Sequence, residues 1–174
     1  MRVLTRRDFV AATAAVGAAM VGCRTHSGNP WEFFSDAQAA SLAAICDQLI
    51  PSDDYPSASE AGVVTYIDRQ LMRHFRRHRP TYEAGLNQAD GLSRARCGVP
   101  LSEAPQSIRQ QVVKLLEQDN PQFFSLVCDH AMQGFYGSPR HGGNRDAVSW
   151  RMLGLDEPPL RGRAQIDAAK GTPS

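Results

Sequence analysis

The chain has 174 residues, 42% of them hydrophobic and 7% aromatic, with a formal net charge of +1. That is an ordinary globular composition, and apart from the run between Arg73 and Arg79 the basic residues are scattered, so nothing points to a nucleic-acid face.

The first residues read as an export signal. Arg2, Arg6 and Arg7 form a basic start, and the run from Phe9 to Val21, rich in Ala and Val, is a mild apolar segment shorter than the ~20 residues needed to span a bilayer. Thr5-Arg6-Arg7-Asp8-Phe9-Val10 resembles a twin-arginine signal, which engages the twin-arginine export machinery and carries folded cargo across the bacterial inner membrane. The segment ends in Met20-Val21-Gly22-Cys23, similar to a lipobox with Met in place of Leu, which makes Cys23 the candidate lipidation site and the membrane a partner through its lipid. The expected organisation is a signal peptide over 1–22, a linker over 23–34, one helical domain over 35–157 and a polar, flexible tail over 158–174. About 150 residues remain after the leader, enough for one domain that buries roughly two thirds of its unfolded surface.

Within the domain the hydrophobic period is helical. Leu42, Ile45, Cys46 and Leu49 recur at i, i+3, i+4 and i+7, and Ser35 with Gln38 has capping-box spacing, so a helix is expected from Asp36 to Ile50, stopped by Pro51. The loop PSDDYPSASEAG leads to a second helix, with Ser57 and Glu60 at capping-box spacing and Val63, Val64, Ile67, Leu71 and Phe75 on one face. A third helix spans about Pro80 to Arg96, interrupted by Gly85 and Gly91. Ser102 opens a fourth with the stripe Ile108, Val112, Leu115 and Leu116, and Pro121 sits in the first turn of a fifth carrying Phe124, Val127, Cys128, Ala131 and Phe135. No stretch alternates with period two for long enough to be a strand. The expected fold class is all-α, a single compact bundle of about five helices joined by short connections.

Chemistry is sparse. His74 and His78 stand at i, i+4 where two imidazoles can share a metal, but they lie within RHFRRHR with no adjoining carboxylate or thiol, and they read as a solvated basic helix end. Asp129 and His130 are neighbours in a helix and project about 100° apart, which rules against an acid–base pair and leaves His130 a surface or core histidine. Asp53, Asp54 and Glu60 lack the spacing of a calcium loop and read as turn and cap residues. Gly137 and Gly142 have Walker A spacing, yet Gly143 and Asn144 stand where Lys and Ser or Thr are needed, and the segment follows a helical pattern where a strand is required. Cys46, Cys97 and Cys128 remain after Cys23; Cys46 and Cys128 both fall on apolar helix faces, as a possible disulfide or as two inert core thiols. There is no C-x-x-C-H or iron–sulfur run. No catalytic, cofactor-binding or metal residue is expected in this chain.

Two segments carry a resemblance. IPSDDYPSASEAGVVTYIDRQL, from Ile50 to Leu71, and YGSPRHGGNRDAVSWRMLGL, from Tyr136 to Leu155, are similar to the signatures of the gluconate 2-dehydrogenase subunit 3 family. The resemblance implies a small accessory subunit without a cofactor, paired with a large glucose–methanol–choline type flavoprotein that holds FAD and, in many complexes, with a multihaem cytochrome c that holds c-type haem. It implies that the small subunit supplies the export signal, on the periplasmic side of the inner membrane. In the second segment Arg140, Gly142, Gly143, Asn144, Arg145 and Trp150 are the candidate partner interface: glycines allow tight turns or close approach, Asn144 and Asp146 can tie up loop amides, and Arg and Trp are enriched at interface hot spots. The same residues also suit a loop that only shapes its own domain, and a free-standing periplasmic lipoprotein scaffold and an independent enzyme are the other function classes left open.

Overall fold

A computed structural model of the chain describes residues 30–155, and all regular structure among them is helical. Arg6, Arg7, Cys23 and the tail over 158–174 lie outside the described residues. Six helices follow one another: α1 (Asp36–Leu49), α2 (Val63–Leu71), α3 (Arg79–Cys97), α4 (Gln106–Asp119), α5 (Pro121–Tyr136) and the short α6 (Val148–Met152). None of them is long and apolar enough to cross a membrane. The five expected helices are present, with α6 in addition.

The α1 start is the capping box expected from Ser35 and Gln38, with Gln38 N–H on Ser35 Oγ at 3.2 Å and Ser35 N–H on Gln38 Oε1 at 3.0 Å. The Ser57–Glu60 box also forms, with Ser57 N–H on Glu60 Oε2 at 2.8 Å, but it caps a single turn. Gly62, at φ 83°, breaks that turn from α2, which begins at Val63 and ends at Leu71 rather than reaching Phe75. The fourth helix starts later than Ser102. Leu101–Glu103 form a 3-10 turn and Ala104 is extended, as the residue before Pro105 must be, so α4 begins at Gln106.

The core is built by α1 to α5 around Leu42, Ile45, Ile67, Tyr82, Leu86, Leu116 and Phe123, all buried. Two long-range details decide how the helices meet. Gly85, which weakens α3 on sequence, lies where a Cβ would collide with the Phe123 ring, so the missing side chain admits α5 against α3. Phe123 therefore takes the buried place on α5, while Phe124 and Cys128 of the expected stripe are half-buried. His130 joins the same face, stacked on Phe75 at 3.8 Å between ring centroids and hydrogen-bonded through Nδ1 to the Tyr82 hydroxyl at 2.9 Å.

Three carboxylates tie the bundle together. Asp47 accepts Ser59 N–H and Oγ–H at 2.8 and 2.7 Å, and Asp90 accepts Ser41 Oγ–H and Leu101 N–H at 2.7 and 3.0 Å. Asp68, 2% exposed, accepts the backbone N–H groups of Glu32, Phe33 and Phe34 at 2.7, 2.9 and 3.0 Å. Charge-assisted bonds of this kind are roughly twice as strong as neutral ones. Phe34 is consequently a core residue, so the ordered domain begins before residue 35 and takes in the end of the expected linker.

Cys46, Cys97 and Cys128 are free thiols in the structure, Cys46 buried and the other two partly so. Burial pushes the Cys46 thiol far up, reinforced by Asp47, and also raises that of Cys128. A thiol held in its protonated form is a poor nucleophile.

Burial, with the neighbouring His78, lowers the His130 pKa from 6.5 to about 4. Between those values the unfolded chain binds a proton that the folded chain does not, so this contribution to stability is complete above pH 6.5 and is lost as pH falls toward 4. Thermal melts from pH 7 to 4 are expected to show a falling midpoint, with a shallower fall in His130→Gln; identical slopes would contradict the assignment.

Candidate functional site

The segments Ile50–Leu71 and Tyr136–Leu155 are far apart in the chain and meet in the fold. The meeting point is Gly62. Its Cα presents no side chain to the loop after α5, and a Cβ there would stand 2.7 Å from the Gly142 carbonyl oxygen. One residue earlier, the Ala61 carbonyl accepts the Arg145 N–H at 2.9 Å. The Ala-Gly-Val of the first segment is thus the seat on which the Gly-Gly-Asn-Arg of the second rests.

The loop between α5 and α6 is held from within by Asn144. Its side chain is fully buried, with 0% exposure; Nδ2 donates to the Gly137 carbonyl at 2.8 Å, and Oδ1 accepts the Ser149 N–H at 2.9 Å. One amide thereby joins the end of α5 to the second residue of α6. Gly143 is buried beside it, so close to the Gly134 carbonyl that a Cβ would overlap it. Asn144, Asp146 and Ala147 have φ values of 44°, 56° and 53°. Left-handed backbone outside glycine costs of order 1–3 kcal/mol per residue and persists only where surrounding contacts dictate it.

The six candidate interface residues divide into three groups. Gly143 and Asn144 point inward and shape the loop, the second of the two readings left open for them, because the close approach to α5 and the two amide bonds use them up. Gly142, at φ 102°, lies against Arg69 of α2, and Trp150 is half-buried with its indole N–H on the Tyr136 carbonyl at 2.9 Å. Arg140 and Arg145 are exposed. Arg140 Nε–H donates to His141 Nε2 at 3.1 Å; the Arg145 guanidinium makes no hydrogen bond or ion pair among the described residues.

Arg145 borders two clefts. One, of about 410 Å³, lies between the Ser52–Pro56 loop and Asp146, Val148 and Arg151, and it gathers Asp53, Asp54 and Glu60 at its edge. The other, of about 240 Å³, is lined by Trp31, Ala39, Ala40, Ala43 and Val64. The first is a polar surface with carboxylates and guanidinia side by side; the second is smaller, with Asp36, Ser59 and Thr65 beside its apolar wall. Neither contains a nucleophile and base within hydrogen-bond reach, and among the described residues no group of three or more His, Cys, Asp or Glu is arranged to hold a metal. His74 and His78 are not presented as a pair, because α2 stops at Leu71 and His78 enters a 3-10 turn facing His130. Asp129 is exposed while His130 is buried, so these two do not work together either.

Residues 36–156 match the family model described as gluconate 2-dehydrogenase subunit 3, and the chain belongs to that family. No curated protein and no solved structure matches it. The chain is accordingly an accessory subunit type of a multi-subunit dehydrogenase, and both signature segments named from the sequence fall in the matched region.

The division of labour inside the loop is open to a stability comparison. Asn144→Ala removes two hydrogen bonds and leaves buried backbone groups unpaired, and is expected to lower stability by about 2–4 kcal/mol. Arg145→Ala removes an exposed side chain whose backbone bond survives, and is expected to change stability by less than ~0.5 kcal/mol in urea titrations. Equal losses would show that the Arg145 side chain is part of the scaffold.

Proposed function

We propose that this chain is the non-catalytic small subunit of a periplasmic flavin-dependent dehydrogenase for gluconate or a related sugar or polyol. It escorts a glucose–methanol–choline type flavoprotein through twin-arginine export and helps to hold it at the membrane. The observation that carries the reading is the exposed Arg145, unpaired among the described residues, on a loop whose own geometry is completed by Asn144, at the junction of the two signature segments. A guanidinium that its own domain does not use, mounted on strained and well-supported backbone, has the character of an interface anchor. Arg140 and the exposed edge of Trp150 extend that surface.

The chemistry of the complex belongs to its companions in this account. FAD resides in the large subunit, and a multihaem cytochrome c carries electrons onward by c-type haem. The contribution of this chain is geometric: a rigid loop for the flavoprotein, Arg6 and Arg7 for the export machinery, and a lipid on Cys23 for the bilayer. Because the twin-arginine route moves folded cargo, one signal serves both subunits provided that they associate before export.

Replacing Arg6 and Arg7 by lysines is expected to keep both this chain and the flavoprotein in the cytoplasm. Arg145→Ala, with the leader intact, is expected to export this chain normally while co-purifying at least tenfold less flavoprotein, the loss of about 2 kcal/mol at a desolvated anchor. Periplasmic dehydrogenase activity at the normal level in the lysine variant would overturn the escort role.

A further inference from the structure

The chain is nearly neutral, yet its charge is unevenly placed. Residues 69–82 contain Arg69, Arg73, Arg76, Arg77 and Arg79 and no carboxylate, and residues 130–145 contain Arg140 and Arg145 and again none. The fold brings the two segments together, with Gly142 against Arg69 and with His74 and His141 lining one cleft of about 290 Å³. Arg69, Arg73, Arg76, Arg77 and Arg140 are all exposed. The hydrogen-bond partners among the described residues are neutral: Arg76 Nε–H donates to the Met72 carbonyl at 2.6 Å and Arg77 Nε–H to His78 Nε2 at 3.0 Å. No guanidinium of this face is ion-paired among the described residues.

From this arrangement we infer that the end of α2 and the turn after it form a docking face for an anionic phospholipid surface. The inference deepens the membrane-holding part of the proposed function and rests on that reading. The place where the chain enters the domain selects a bilayer over an acidic protein. Glu32, Phe33 and Phe34 are bonded to Asp68, next in sequence to Arg69, and the Arg79 guanidinium sits over the Phe33 ring at 5.4 Å from its centroid. Cys23 and Trp31 are eight positions apart, a tether that reaches roughly 28 Å at full extension. An acyl group on Cys23 would hold the start of the domain within that reach of the bilayer. Unpaired arginines there gain attraction from anionic lipid within a Debye length, and a lipid chain with a basic patch is the two-signal combination that anchors stably.

The test uses the full chain with Cys23→Ala, so that no acyl group contributes, and sedimentation with vesicles of phosphatidylcholine alone or mixed with phosphatidylglycerol. Binding is expected to the anionic vesicles, to weaken as salt is raised, and to fall roughly 30-fold in Arg73→Gln/Arg77→Gln. The leader is common to all variants and drops out of the comparison. Arg94→Gln/Arg96→Gln, at the end of α3, removes the same charge elsewhere and is expected to bind like its parent. Circular-dichroism melts of both pairs identify any variant that fails to fold; should the first pair do so, Arg73→Lys/Arg77→Lys, which keeps the charge, is expected to bind as its parent does. Equal binding by the two glutamine pairs, or none to either vesicle, overturns the proposal. So does loss of flavoprotein co-purification in the Arg73/Arg77 pair with vesicle binding intact, which assigns the face to a protein. An unmodified Cys23 by mass spectrometry of the native protein would instead remove the lipid anchor, and is read separately from the vesicle result.

Discussion

The seating of the α5–α6 loop on Gly62 is the constraint from which the functional surface follows. A side chain at that position would meet the Gly142 carbonyl at 2.7 Å and would have to tolerate a left-handed backbone at φ 83°, so the contact exists only because glycine is there. Once the loop is seated, the Ala61 carbonyl fixes the Arg145 amide, Asn144 closes the loop from inside, and Arg145 has nowhere to go but outward. The backbone is committed to the domain and the guanidinium is left to something else.

The same division recurs across the bundle. Asp47, Asp68 and Asp90 spend their charge on backbone and hydroxyl donors inside the protein, whereas the arginines after Asp68 are spent on nothing internal beyond carbonyl, thioether and histidine contacts. These three acids hold the fold, and the arginines at the end of α2 and in the turn after it face outward. In the proposed role the working parts of the chain are surfaces, and each surface requires a scaffold that is satisfied without it.

Much of the helical layout was legible because it rests on local signals. Ser35 with Gln38, Pro121 in the first turn of α5, and the 3.6-residue period of α1 act within a few residues of themselves. The misplacements have a common cause in contacts between distant segments. The Ser57–Glu60 box caps a single turn and not the second helix itself, and the break at Gly62 is imposed by a loop eighty residues away in the chain. Phe123 displaced Phe124 from the buried stripe because Gly85 leaves room for its ring, and His130 is a core residue because Phe75 and Tyr82 close around it. Both signature segments were visible as sequence, but their meeting was not, since no period or motif encodes the contact between Ala61 and Arg145. For the same reason the sequence leaves open which members of the Gly-rich loop turn inward; the fold shows that Gly143 and Asn144 do.

In the proposed complex the outward half of this loop touches the flavoprotein. A photo-crosslinking amino acid placed at position 145 in the native complex measures that contact directly, with position 114 on α4, exposed and distant in sequence, as the reference. The account predicts a crosslinked species from position 145 that mass spectrometry identifies as this chain joined to the flavoprotein, and none from position 114. Crosslinking from 114 but not from 145, in a complex that remains intact, would contradict it.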